Sequence, residues 1–221
     1  MEENNRKGPG IFYAVVGVAT LVVAIIGATF AYFSATKENT KDVKGTTASS
    51  ADLALTVQRV SDDATATNMI PMKDDLLQSG VTGTGGKQCV DKNGNTACQI
   101  YKITIANGGN IAVNVKGTLN LSGGGATNMK WQLLESQTTV GTGNTQVSQG
   151  TDGVIVANQA LTAKDAATPS AEFYVVVWLH DTGEPQDTPD AGKSFTGTVT
   201  FNGVNVDGTD STGGVTATFS S

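Results

Sequence analysis

The stretch IAVNVKGTLNL at residues 111–121 places Ile111, Val113, Val115, Leu119 and Leu121 on one side of an alternation with Ala112, Asn114, Lys116, Thr118 and Asn120. Side chains two residues apart share a face of a strand, so this period describes a long strand with one buried and one wet face. The same reading extends outward. Upstream, Tyr101, Ile103 and Ile105 alternate with Lys102 and Thr104, and Leu53, Leu55 and Val57 alternate with Ala54, Thr56 and Gln58. Asn107-Gly108-Gly109-Asn110 has the composition of a hairpin loop joining its two neighbours. Downstream, strands are expected around Trp131 and Leu133, at Val154–Val156, at Phe173–Leu179, at Phe195–Val206 and at residues 215–219. Phe173–Leu179 (FYVVVWL) is apolar on both faces, which places it centrally in a sheet.

That makes about eight strands with turn-rich spacers. One short helix is expected around Lys73–Gln78, within an irregular region at 61–88. The crossover helices that a parallel sheet needs are missing, so the fold class is all-β, a β-sandwich or jelly roll. The composition agrees: 15% of the 221 residues are charged and 27 are glycine, while the hydrophobic fraction of 38% is enough for a core. The formal net charge is −6. No Lys/Arg cluster lies beyond the first few residues, so the positive footprint that nucleic acid requires is missing.

Ahead of the strands, residues 11–33 read IFYAVVGVATLVVAIIGATFAYF, with no charge in 23 residues. A helix of that length spans a hydrocarbon core of about 30 Å. Arg6 and Lys7 precede it and favour a cytoplasmic N-terminus, with Glu2 and Glu3 diluting that signal. Its length exceeds an ordinary signal h-region and favours a retained anchor. Thr29 and Ala31, small residues at −3 and −1, instead suit cleavage between Ala31 and Tyr32. The residues leave both outcomes open. A type IV pilin leader is the weaker reading, because the fifth position after Gly10 is Val15 rather than Glu. The chain therefore divides into a signal or transmembrane segment (1–36), a linker or donor strand (37–49) and a β-sandwich domain (50–221).

Few residues suggest chemistry. Cys89 and Cys98 flank VDKNGNTA, and in an oxidising compartment they would close a small disulfide loop. Asp91, Asn93 and Asn95 imitate the start of a calcium loop. Gly94 stands where position 96 would need the glycine, and Lys102 where a Glu is required, so a tight turn at Asn93-Gly94 is expected instead. Asp181, Glu184, Asp187 and Asp190 read as a solvated acidic loop, with calcium binding the lesser alternative. His180 is the sole histidine and is expected at a strand end, with no GxSxG or HExxH setting around it. No catalytic, metal or cofactor residue is assigned.

IIGATFAYFSAT (25–36), ADLALTV (51–57) and ITIANGGNIAVNVKGTLNL (103–121) together resemble the TasA/camelysin family of Gram-positive surface and biofilm-matrix proteins. Gly27, Thr29, Phe30, Ala31 and Phe33 occupy the leader motif, and Asn107 and Gly109 occupy its recurrent turn. The resemblance implies a jelly roll, export by a dedicated signal peptidase and removal of the leader after Ala31. It also implies a homo-oligomeric filament, in which the freed N-terminal segment adds a strand to the next subunit. The donor would be Tyr32–Val43, through Tyr32, Phe33, Ala35 and Val43. The metalloprotease activity described for some members is not carried over, since a single histidine supplies no zinc spacing. The alternative is a monomeric, membrane-anchored surface module that binds a carbohydrate or protein.

Overall fold

A computed structural model of the protein describes residues 44–47, 52–61, 69–83, 85–183, 194–204 and 210–220. The expected strands are present as β2 (Leu53–Arg59), β3 (Cys98–Asn107), β4 (Val113–Gly124), β5 (Met129–Ser136), β8 (Gly153–Leu161), β9 (Ser170–Leu179), β10 (Ser194–Val204) and β11 (Asp210–Ser220). Three shorter ones join them: β1 (Lys44–Thr47), β6 (Thr139–Val140) and β7 (Val147–Ser148). At two to four residues each, these are too short to carry a readable alternation.

The strands form a β-sandwich of two antiparallel sheets. Sheet A has the order β1-β11-β10-β4-β8, and sheet B the order β2-β3-β9-β5-β6, with β7 also paired to β5. Side chains of alternate residues meet between the sheets. Sheet B contributes Leu53, Val57, Tyr101, Ile103, Ile105, Trp131, Val175 and Val177, and sheet A contributes Val115, Leu119, Leu121, Val199, Phe201, Val215 and Phe219. Tyr101 is almost wholly enclosed and stacks near Phe219, with ring centroids 4.0 Å apart. Its hydroxyl donates to Gln99 Oε1 at 2.5 Å, and burial pushes the phenol well above its usual pKa.

The doubly apolar strand is central, as its composition requires: β9 lies between β3 and β5. Its second face is covered by the region before β3. There a 3-10 turn at Asp74–Leu76 leads into helix α1 (Leu77–Thr82), slightly beyond the expected helix. Met72, Leu77, Val81, Cys89 and Ala97 pack on Cys98, Ile100, Leu134, Val176 and Trp178, forming a second core outside sheet B. The Cys89–Cys98 disulfide forms within this layer. Burying Met72, Leu77 and Val81 contributes about 1.5–3 kcal/mol each, against roughly 2–3 kcal/mol for closing so short a loop. Apolar burial is therefore the larger force holding this cap, and the disulfide the smaller.

Two expectations are corrected. Asn107-Gly108-Gly109-Asn110 does not close a hairpin: β3 lies in sheet B and β4 in sheet A, so the segment is an arch between sheets. The buried Asn107 side chain holds the arch. Its Nδ2 donates to the Ile111 and Thr162 carbonyls at 2.8 and 2.9 Å, and its Oδ1 accepts the Gly109 N–H at 2.9 Å. An amide satisfied on both ends stands in for the ladder that a hairpin would have supplied. Ile111 consequently falls outside β4 and is 70% exposed rather than buried.

Gly117 and Gly197 explain the gaps in the alternation of sheet A. Gly117 is the register partner of Phe201, and Gly197 the partner of Phe219. Each ring lies over the neighbouring glycine, and a Cβ at either position would run into it. Gly197→Ala should therefore destabilise the domain by about 1–3 kcal/mol through overpacking. Urea denaturation would show this as a lower midpoint at constant slope; an unchanged midpoint would mean the Phe219 ring is free to move aside.

Candidate functional site

The two margins of sheet A differ. A strand at a margin presents unpaired backbone N–H and C=O groups that invite another strand. On one side of sheet A, β8 pairs with β4 through a ladder broken by two register shifts, at Val115/Gly117 and Gly117/Thr118. Such bulges twist an edge and blunt it. On the other side β11 is a strand of eleven residues whose outer neighbour is β1, of only four. Lys44, Gly45, Thr46 and Thr47 stand opposite Thr218, Ala217, Thr216 and Val215. Among the described residues, Asp210–Gly214, Phe219 and Ser220 have no strand partner on that side. Along β11, Val215, Ala217 and Phe219 are buried toward the core, while Thr216 and Thr218 are half-buried on the opposite face. From Gly214 to Ser220 the edge presents a backbone row above alternating apolar positions, the form that accepts an added strand, while toward Asp210 its register shifts against β10.

The expected donor residues Tyr32, Phe33, Ala35 and Val43, and the cleavage position Ala31/Tyr32, lie outside the described residues, as does the apolar segment at 11–33. Among the described residues no helix is long and apolar enough to cross a membrane. What the structure does place is the segment directly after the donor stretch: residues 44–47, read as linker or donor, form the β1 edge of sheet A.

A second polar constellation was not legible in the sequence. Asp74, at the start of the cap, accepts from Trp178 Nε1 at 3.0 Å, pairs with His180 Nδ1 at 2.8 Å and accepts from Lys130 Nζ at 2.6 Å. These partners are 56 to 106 residues away, so no local spacing joins them. The only local hint is that Trp178 and His180, two residues apart, end the most apolar strand. His180 does stand at a strand end, bridging in parallel to Met72. Partial burial works to raise the Asp74 pKa, but the hydrogen bonds from Lys130, Trp178 and His180 outweigh it and hold the carboxyl below its usual value. With both oxygens engaged, this carboxylate acts as a tether between cap and sheet B.

The remaining candidates resolve as turns. Asp91 Oδ1 accepts the backbone N–H of Asn93 and of Asn95 at 2.8 and 2.7 Å, and Gly94 takes a positive φ of 86°, so the tight turn forms as expected. The Asn95 side chain and these backbone donors hold the Asp91 carboxyl below its usual pKa. Asp181 accepts the Gly183 N–H at 2.8 Å, and Glu184, Asp187 and Asp190 lie outside the described residues. Among the described residues no three His, Cys, Asp or Glu side chains gather as metal ligands. No protein-family model and no curated protein matches the chain.

The tether has a pH signature. A depressed folded-state pKa contributes stability above the ordinary aspartate value of about 4 and loses it as pH falls through the folded value. Asp74→Asn should cost about 1.5–3 kcal/mol at neutral pH, the range for hydrogen bonds to charged groups. The gap between wild type and variant should narrow on acidification below that value. Urea titrations at neutral and acidic pH would check this; a gap independent of pH would remove the ion pair from the account.

Proposed function

We propose that this protein is an exported structural subunit of an extracellular filament, built by adding a strand from one copy to the sheet edge of the next. The observation that carries this reading is the β11 margin of sheet A. It is eleven residues long and, among the described residues, paired on its outer side at four positions, and the pairing residues immediately follow the segment read as donor. In this reading the acceptor is β11 and the donor is Tyr32–Val43, released when the leader is cut after Ala31. Backbone hydrogen bonds supply affinity, and the alternation of Val215, Ala217 and Phe219 sets the register. The resemblance of the leader and of the Asn107–Gly109 arch to the TasA/camelysin family supports the same proposal, including its jelly-roll wiring. The arch and the disulfide-clipped cap suit a subunit that bears load outside the cell, since both fix connections that a sandwich otherwise leaves to loops.

Removing residues 32–43 from the exported protein tests this. The shortened chain should stay folded, with an unchanged unfolding midpoint, and should sediment as a monomer under conditions where the parent forms filaments. Filaments of normal length from the deletion variant would reject the donor assignment. An exported protein whose N-terminus is Met1 would point instead to the anchored surface module.

A further inference from the structure

We infer that the contact between Lys130 and Asp74 is the reactant state of an intramolecular amide cross-link: Lys130 Nζ condenses with the Asp74 carboxyl, one water leaves, and the cap becomes covalently joined to sheet B. This goes beyond the filament reading and does not depend on it. The backbone holds the partners ready. Lys130 on β5 stands opposite Trp178 on β9, and His180 follows Trp178 at the spacing that repeats a strand face. Trp178 lies under the cap, so all three border the face on which the cap packs. Asp74 is delivered by the chain two residues before it. There the Met72 N–H donates to the Leu179 carbonyl at 2.8 Å, and the Met72 carbonyl accepts the Asp181 N–H at 3.0 Å.

The two oxygens of Asp74 are prepared for different parts in the reaction. Oδ2 faces the ammonium, 2.6 Å from Nζ. Oδ1 accepts from Trp178 Nε1 at 3.0 Å and lies 2.8 Å from His180 Nδ1. A carboxylate only accepts, so Nδ1 carries a proton here. As Nζ attacks Cγ, negative charge develops on Oδ1, where these two N–H groups are already aimed. The Cγ–Nζ bond forms and the Cγ–Oδ2 bond breaks. Of the three ammonium protons, two leave with Oδ2 as water and one stays on the amide nitrogen. Nothing is oxidised or reduced, and the two opposite charges cancel. Reactants fixed in this way reach effective molarities of about 10⁵–10⁸ M, far above the concentration of the water that would reverse the step. The Lys130 and Asp74 side chains are 20% and 28% exposed, beside a wholly buried Trp178. Losing both charges there also removes the desolvation cost that the ion pair carries.

The bond fastens more of the chain than the disulfide does. Asp74 and Lys130 are 56 residues apart and enclose α1, β3 and β4, whereas Cys89 and Cys98 are separated by 9. A longer closed loop restricts the unfolded chain more. The amide is thus the cap's principal covalent fastening. The acid signature of the tether belongs to the ionic form, since Asp74 in the closed form has no carboxyl left to titrate. A second ion pair, Lys102 with Glu172 at 2.5 Å, offers a comparison within the molecule. Its carboxylate is 47% exposed, and it joins β3 to β9, which already share a ladder.

Intact-mass measurement decides the matter. The folded protein is incubated at neutral pH, then unfolded and reduced. Most molecules should weigh one water less than the chain counted from its own N-terminus. Proteolysis should yield a linked pair of peptides, one containing Asp74 and the other Lys130. Lys130→Arg keeps the charge and the hydrogen bond but offers a guanidinium that stays protonated and does not attack. That variant should show the full mass and, when reduced and denatured, should run behind the looped wild-type chain on electrophoresis. If it fails to fold, the wild-type mass and the mapped peptide pair are sufficient. A wild-type chain of full mass would overturn the cross-link. So would a water loss that persists in Lys130→Arg, or a link mapped to other residues such as Lys102 and Glu172.

Discussion

The architecture depends on one strand that must be buried twice. β9 carries Val175, Val176, Val177, Trp178 and Leu179, all 4% exposed or less. A two-layer sandwich hides only one face of each sheet. With Val175 and Val177 directed into the space between the sheets, Val176 and Trp178 would otherwise stand in water. The cap supplies the missing layer. Its helix α1 and its disulfide matter less for themselves than for covering Ile100, Val176 and Trp178, and Asp74 fastens its leading end to Lys130 and Trp178. Around β9, sheet B is thereby covered on both faces.

Sheet A is arranged oppositely. Its inner face is filled by phenylalanines laid over glycines, and its other face shows threonine, serine and asparagine. Among the described residues it has no cap, so what distinguishes it lies at its margins. One margin is bulged at β8. The other, β11, shifts register against β10 between Gly214 and Asp210 and, among the described residues, is paired on its outer side at four positions. Backbone groups at a margin find partners in water or in another strand. The chain places Lys44–Thr47 there, ahead of β2 in sheet B. The same few residues thus lie between the apolar segment at 11–33 and the rest of the sandwich in sequence, and on the edge through which copies are proposed to join.

Much of this was readable before any coordinates, and what was missed shares a cause. Alternation located the long strands, because a half-buried strand must write its two faces into its sequence; FYVVVWL also disclosed its central place. Alternation says nothing about which sheet a strand joins. Asn107–Asn110 has hairpin composition, and only the distant Thr162 carbonyl, held by the Asn107 amide, reveals an arch. Ile111 kept the period but lost the strand for the same reason. The Asp74 cluster joins residues more than fifty positions apart, beyond any local pattern. β1 is four residues of lysine, glycine and threonine, with nothing to alternate. The disulfide was legible because the chain has just two cysteines, and the export expected from the apolar segment would place them in an oxidising compartment.

The central claim is that β11 is where one copy receives a strand from another. Solid-state NMR on filaments grown from an equal mixture of ¹³C-labelled and ¹⁵N-labelled protein reports it directly, since nitrogen–carbon contacts then arise only between copies. The account predicts such contacts between residues 32–43 of one subunit and Asp210–Ser220 of its neighbour. Filaments whose intermolecular contacts fall elsewhere, with Lys44–Thr47 still paired to β11 of its own chain, would contradict it.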